Sequence, residues 1–329
     1  MLDAGWMTRR VSVSDESTFY NPDGTVDSTS GQGAIGWKHD GYIQEASSFF
    51  GRRLHLAGGL RVDTAELFDI HPVSPQLGAS WQLASATQLQ FGVGRYTQFQ
   101  FPVFPTIELP LGLCLLSSEV LQTANHFTAG IEQRIGESAR VKFTFFDRQN
   151  TSSDAVTGPN NCKPIISPHG FEPYERDHSR GAQIVLQSRT ANRLSGWIGY
   201  TLTYALQHNV SGPYYPTLED QRHTVNVFAS YRISPTVHVS GKWLFGSGFP
   251  IPSEAYNSTT LGDYQRLDVR AEKDWAFTRW KLALYGEALN LTNHNNRRYF
   301  YAEFTQNGTT VTTGQGLPIT PTAGIAFEF

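Results

Sequence analysis

The residues best equipped for chemistry in this 329-residue chain are charged ones at alternate positions. Arg266, Asp268, Arg270, Glu272 and Asp274 occupy every second place in one run, and Asp220, Arg222, Arg232, His238 and Lys242 keep the same alternation in the runs before it. Side chains at i and i+2 of a strand share a face. Such runs therefore build a charged wall rather than a catalytic pocket. Opposite charges on neighbouring strands can pair across the ladder. A wall of this kind can hold a second piece of polypeptide through charge-assisted hydrogen bonds, or it can be the solvated lining of a pore.

Other candidates are weaker. The stretch His169-Gly170-Phe171-Glu172-Pro173-Tyr174-Glu175-Arg176-Asp177-His178 offers two His and three acids, ligand types that metals accept, but no helix fixes their spacing. A solvated loop is the favoured reading, and no metal site is expected. Tyr96, Gln98, Phe99 and Phe101 sit beside another connection, and with Tyr174 and His178 they are the expected ligand contacts of loops and rim. A belt of interfacial aromatics is the alternative for the first group. Cys114 and Cys162 fall in two long connections without zinc-site spacing. Sequence leaves a bridge between them open, because the separation of their Cα atoms is not legible. No GxSxG elbow, HExxH or Walker A occurs. Ser240 and His238 are close in sequence, but alternation points both to the polar face. No enzyme activity and no cofactor are expected.

The elements that position these residues are strands. Charged residues make up 17% of the chain, aromatics 13%, and the formal charge is -3. That balance gives no basic footprint for nucleic acid. No apolar run reaches the roughly 18 residues of a membrane helix, and Met1–Arg10 lacks the apolar centre of a signal peptide. Period-two alternation recurs instead. Leu194, Gly196, Ile198, Tyr200, Leu202, Tyr204 and Leu206 oppose Ser195, Trp197, Gly199, Thr201, Thr203 and Ala205. About fourteen strands are expected, over 10–20, 36–48, 54–64, 74–84, 87–98, 120–134, 139–149, 179–190, 194–207, 221–233, 236–248, 262–276, 280–293 and 318–329.

Connections alternate between short and long without a break. Short ones fall near 51–53, 85–86, 136–138, 191–193, 234–235 and 278–279; long ones near 21–35, 65–73, 99–119, 150–178, 208–220, 249–261 and 294–317. Outer-membrane barrels show that asymmetry, with short periplasmic turns and longer extracellular loops. Strands of about ten to twelve residues, tilted, cross a bilayer. The charges of 266–274 cannot all face lipid, where a central Arg or Lys costs roughly 2–4 kcal/mol. They must line a wet interior, with the oily faces outward. The expected fold is an all-β, antiparallel transmembrane β-barrel occupying 35–329, preceded by a segment of weak strand and loop over 1–34. A free-standing fourteen-stranded channel and a soluble β protein are the competing readings.

Several motifs then carry a resemblance: Asp220-Gln221-Arg222-His223-Thr224-Val225-Asn226, Tyr264-Gln265-Arg266-Leu267-Asp268-Val269-Arg270, Asn290-Leu291-Thr292-Asn293, and the end from Leu317 to Phe329. Gly59-Leu60-Arg61-Val62-Asp63 and Phe91-Gly92-Val93-Gly94-Arg95-Tyr96 also fit. In this order the chain resembles the C-terminal barrel portion of a TonB-dependent receptor from about Gly33 to Phe329. The family joins an N-terminal plug to a barrel of about 22 strands. The resemblance implies a fragment without plug or export signal, placed in the Gram-negative outer membrane. It also implies nutrient uptake with an unknown ligand, and as partners outer-membrane lipid, the plug, the TonB system and the barrel-assembly machinery through Phe329. The charged residues from Asp220 to Asp274 would then contact the plug.

Overall fold

The computed structural model describes residues 1–20, 23–66, 71–99, 107–108, 114–115, 117–157, 164–165, 173–189, 193–209, 213–250, 260–305 and 308–329. Fourteen long strands follow one another along a single antiparallel path. They are β1 (Leu2–Tyr20), β2 (Val26–Phe49), β3 (Leu54–Ala65), β4 (Val73–Ala84), β5 (Thr87–Phe99), β6 (Ser117–Ile135) and β7 (Ala139–Thr157). Then come β8 (Pro173–Arg189), β9 (Leu194–Asn209), β10 (His223–Ser234), β11 (Val237–Gly246), β12 (Tyr264–Ala276), β13 (Lys281–Leu289) and β14 (Thr320–Glu328). All fourteen sequence-predicted strands are present. No ladder joins β1 to β14 among the described residues, so the path is open.

One end of the sheet carries tight turns. Phe50, Gly51 and Arg52 all have positive φ, and Gly136 turns the β6–β7 hairpin at φ 60°, a conformation that costs glycine nothing. The other end carries the long connections. One of them, near 294–317, holds its own hairpin of Arg297–Thr305 on Gly308–Gln315. Its base is tied by Asn290, which sits at φ 49°. The Asn290 amide donates to the carbonyls of His294 (3.0 Å) and Leu317 (2.9 Å) and accepts from the His294 N–H (3.1 Å). Asparagine tolerates this left-handed backbone better than most residues.

Two expectations are corrected at the N-terminal side. Residues 26–35, expected as loop, belong to β2, and the boundary expected between 34 and 35 falls inside that strand. β1 begins at Leu2 rather than near residue 10 and pairs with β2 from Leu2↔Glu45 through Phe19↔Ser28. This ribbon is rich in Gly, Ser and Thr. Backbone pairing holds it, and without apolar alternation residues 2–9 and 26–35 do not read as strand.

The two faces of the sheet differ as alternation requires. Register places Ile43, Leu60, Leu77, Val93, Phe127 and Phe143 on one face, and all six are exposed. Among the described residues the buried apolar ones are Ala65, Phe99, Leu121 and Leu261. A soluble β protein buries its large apolar side chains. Here they form a broad exposed surface, which overturns the soluble reading and marks a membrane surface.

Candidate functional site

The opposite, polar face holds the ions. On β12 they pair along the strand: Arg266 Nε donates to Asp268 Oδ1 at 2.7 Å, and Arg270 Nε to Glu272 Oε2 at 3.0 Å. Arg270 also approaches Glu287 of β13 at 4.0 Å and lies over the Tyr285 ring, 3.8 Å from its centroid. His238 of β11 stands 3.7 Å from Asp274. Asp268 has a second duty, accepting the Asn290 N–H at 2.9 Å. Lys242 faces Asp268 in register, and Arg232 faces His238. The run from Arg232 to Asp274 is thus brought together as one surface.

Asp220 and Arg222 stand apart from it. They precede β10, and their side chains meet at 2.6 Å while Asp220 also accepts the Ala205 N–H at 2.9 Å. Arg222 lays its guanidinium 4.1 Å from the ring centroid of Tyr204. Tyr204 shares the alternation of Leu202 and Leu206, so this pair sits at the rim, before β10 and away from the β12 ions.

A second ionic cluster escaped the sequence reading. Arg9 of β1, Lys38 and Asp40 of β2, and Arg61 and Asp63 of β3 meet on the polar face. Asp40 is reached by Arg9 (3.0 Å), Lys38 (3.3 Å) and Arg61 (3.7 Å), and Asp63 by Arg61 (2.8 Å) and Lys38 (3.7 Å). Asp63 is 1% exposed and Asp40 6%. Buried carboxylates persist because several cations and hydrogen bonds offset the lost water. One signal was available: Lys38-x-Asp40 and Arg61-x-Asp63 repeat the i, i+2 spacing of Arg266-x-Asp268.

The expected ligand residues are scattered. Tyr96 packs on His126 at 4.7 Å between ring centroids. It lines a recess of about 560 Å3 on the polar face with Gln44, Gln76, Thr128 and the glycines 59, 78, 92 and 94. Gln98 is exposed beside it. Phe99 is 7% exposed, packed with Ala65 and Leu121 beneath the Lys38 ammonium, so it has no free surface for a ligand. His178 bonds Asp147 at 2.9 Å on the oily face and cannot share a site with Tyr96. Phe101, Cys162 and the side chains of Tyr174 and Cys114 lie outside the described residues. No group of three or more His, Cys, Asp or Glu suited to a metal occurs among the described residues.

Comparison with known proteins returns a β-barrel family. Residues 3–291 match the family model described as TonB dependent receptor-like, beta-barrel. This chain belongs to that family. The ferric yersiniabactin uptake receptor FyuA from Yersinia pestis superposes with a TM-score of 0.72 at 14% identity, covering 99% of this chain and 50% of that one. The ferripyoverdine receptor of Pseudomonas aeruginosa gives 0.62 at 15% identity, with 99% and 45% covered. The Ferric-Catecholate import receptor Fiu of E. coli gives 0.62 at 12%, with 99% and 51% covered. No curated protein sequence matches. The chain spans about half the length of these solved TonB-dependent receptors, so it corresponds to part of such a molecule. The family and these relatives are receptors and transporters, not enzymes.

Proposed function

We propose that this chain forms barrel wall in an outer-membrane, TonB-dependent uptake receptor. Its oily face meets acyl chains, its polar face lines the lumen, and the ionic surface from Arg232 to Asp274 holds the plug. The observation that carries this reading is the division of one continuous sheet into an exposed oily face and an ion-paired face, joined to the family match. Charged side chains are tolerated at membrane depth only where they line water or pair within protein. The names of three matched structures specify ferric ligands, which makes an iron chelate the first cargo class to test.

The free-standing channel is the poorer account. Open strand edges are not tolerated in hydrocarbon, and β1 and β14 do not pair with each other among the described residues. The test uses cells carrying the intact receptor that contains this barrel. Iron-limited growth on a panel of ferric siderophores is expected to require both the receptor and TonB. Recovery of the protein in the soluble fraction, or uptake indifferent to TonB, overturns the proposal.

A further inference from the structure

Charge on the polar face does not balance everywhere. On β12 each arginine has an acid beside it. On β4 and β5 the same face is uncharged from Gln76 to Gln82 and from Gln88 to Gln98. On β6 and β7, between Gln122 and Asn150, it carries the cations Arg134, Arg140, Lys142 and Arg148 against one acid, Glu132. Glu132 is taken by Arg140 at 3.5 Å. Arg134 stands directly across from Arg140 in register, an arrangement that like charges disfavour. Among the described residues Lys142 has no ion pair, and Arg148 donates to the neutral Asn150 at 2.7 Å. The neighbouring acid on β8, Asp177, faces Asn150 rather than Arg148.

These cations form a strip along the wall. Arg134 and Arg140 flank the short turn at Gly136, and Lys142 and Arg148 follow farther along β7. From Lys142 to Arg148 the strand rises about 20 Å, at about 3.3 Å per residue. Between them the face carries Thr144 and Phe146. The Phe146 ring lies against Gly181 of β8, where a Cβ would come within 2.7 Å of it. At the head of the strip Arg148 stands in register with His126, which lines the recess of about 560 Å3. That volume is in the range of small-molecule sites. Tyr96 folds back over Gly94, 3.1 Å from where a Cβ would stand, so its ring lies along the wall. Gln76 and Thr128 add uncharged hydrogen-bonding groups. The acid on the far bank, Asp3, is six strands from Arg148, about 29 Å along the sheet, and accepts the Gln44 amide at 3.0 Å.

Resting on the uptake reading above, we propose that this strip, with the recess at its head, is the face along which a negatively charged ferric chelate is held and passed inward. The recess receives the chelate, with Tyr96 against its rings, the carboxamides at its polar edge and the Arg148 guanidinium on its charge. Lys142, and then Arg134 with Arg140, hold the same charge at lower steps. Several sites that each grip weakly let an ion both enter and leave. An anion between Arg134 and Arg140 offsets their mutual repulsion. Arginines saturated by their own acids, as on β12, exert no such pull. An acidic patch of the plug is the rival occupant. Cations spaced at separate heights, with a hollow at their head, suit a small ion in transit better than a fixed protein contact.

The test is single-channel recording on the intact receptor that contains this barrel, in a planar bilayer. Urea unseats the plug, below the concentration that unfolds the barrel. The probes are two ferric complexes of similar size added on the extracellular side: a tris-catecholate, triply negative, and a tris-hydroxamate, neutral. The catecholate is expected to block the current and the hydroxamate to leave it open. K142Q/R148Q is expected to weaken the block about tenfold, as loss of two charge-assisted contacts implies. K281Q removes a polar-face charge that Glu328 holds at 2.8 Å, and it is expected to be blocked as the parent is. In the parent, KCl at about 1 M, where screening acts within about 3 Å, is expected to lift the block; this measurement serves if K142Q/R148Q does not fold. Equal block by both complexes, full block of K142Q/R148Q, the same loss in K281Q, or a block indifferent to salt each overturns the proposal. A strip that grips the plug instead lowers the urea threshold for current in K142Q/R148Q and leaves the block unchanged. No current while the barrel stays folded sinks the lumen reading as well; current with a charge-blind block sinks the strip alone.

Discussion

The two ionic clusters of the polar face use the same residue types in opposite ways. On β1–β3 the charges come from three strands, and each aspartate is shared by two or three cations. On β12 the main pairs, Arg266–Asp268 and Arg270–Glu272, lie along one strand. The first arrangement stitches neighbouring strands together and excludes water from its acids. The second neutralises charge locally, adds little to strand pairing and leaves donors and acceptors facing the lumen. Connectivity, more than the number of ion pairs, separates a cluster that ties strands together from one that neutralises charge along a single strand.

The largest effect is expected where that contrast is sharpest. D63N leaves Lys38 and Arg61 without their buried partner and should cost about 3 kcal/mol, as breaking a buried pair does, read by urea unfolding in micelles. An effect under about 1 kcal/mol, the range of exposed pairs, would erase the distinction between the clusters. D268A ranks second, because Asp268 alone on β12 also holds the Asn290 N–H. About 1–2 kcal/mol is expected, that of a lost hydrogen bond to a charged group, with faster hydrogen exchange at Asn290. R270Q should change stability by under about 1 kcal/mol yet weaken plug retention in the intact receptor. Unchanged retention would return the β12 surface to a plain solvated lining.

The smallest prediction concerns Asp23, in the β1–β2 turn outside the membrane strands. The Thr25 hydroxyl and N–H donate to it at 2.6 and 2.9 Å and hold its carboxyl below the ordinary carboxylate range. A carboxyl lowered by folding contributes stability above its unfolded pKa and loses it as pH falls through the folded one. Carboxyl NMR titration should show Asp23 titrating below its unfolded value, and T25A should move it back up. No movement on T25A would show that the Thr25 hydroxyl does not set the charge of this turn.

Much of this was legible in the sequence. Alternation located the strands from β3 onward and parts of β1 and β2, because a lipid-facing and a lumen-facing side impose opposite chemistry on adjacent residues. The β12 ions were visible since their spacing lies within one strand. The Arg9–Lys38–Asp40–Arg61–Asp63 cluster was hidden because its members are joined by register, which no local pattern states. The outer parts of the β1–β2 ribbon were hidden for a different reason: among its described side chains no large apolar one is buried, so composition looks like loop. Tyr96 and His178 seemed one group, yet strand alternation puts them on opposite sides of a single sheet.

The glycines at 59, 78, 92 and 94 give the wall one further property. Where they line the recess, bare backbone forms its floor between Gln44, Gln76 and Tyr96. The polar face is therefore uneven, hollowed on β3–β5 and carrying long ionic side chains on β12.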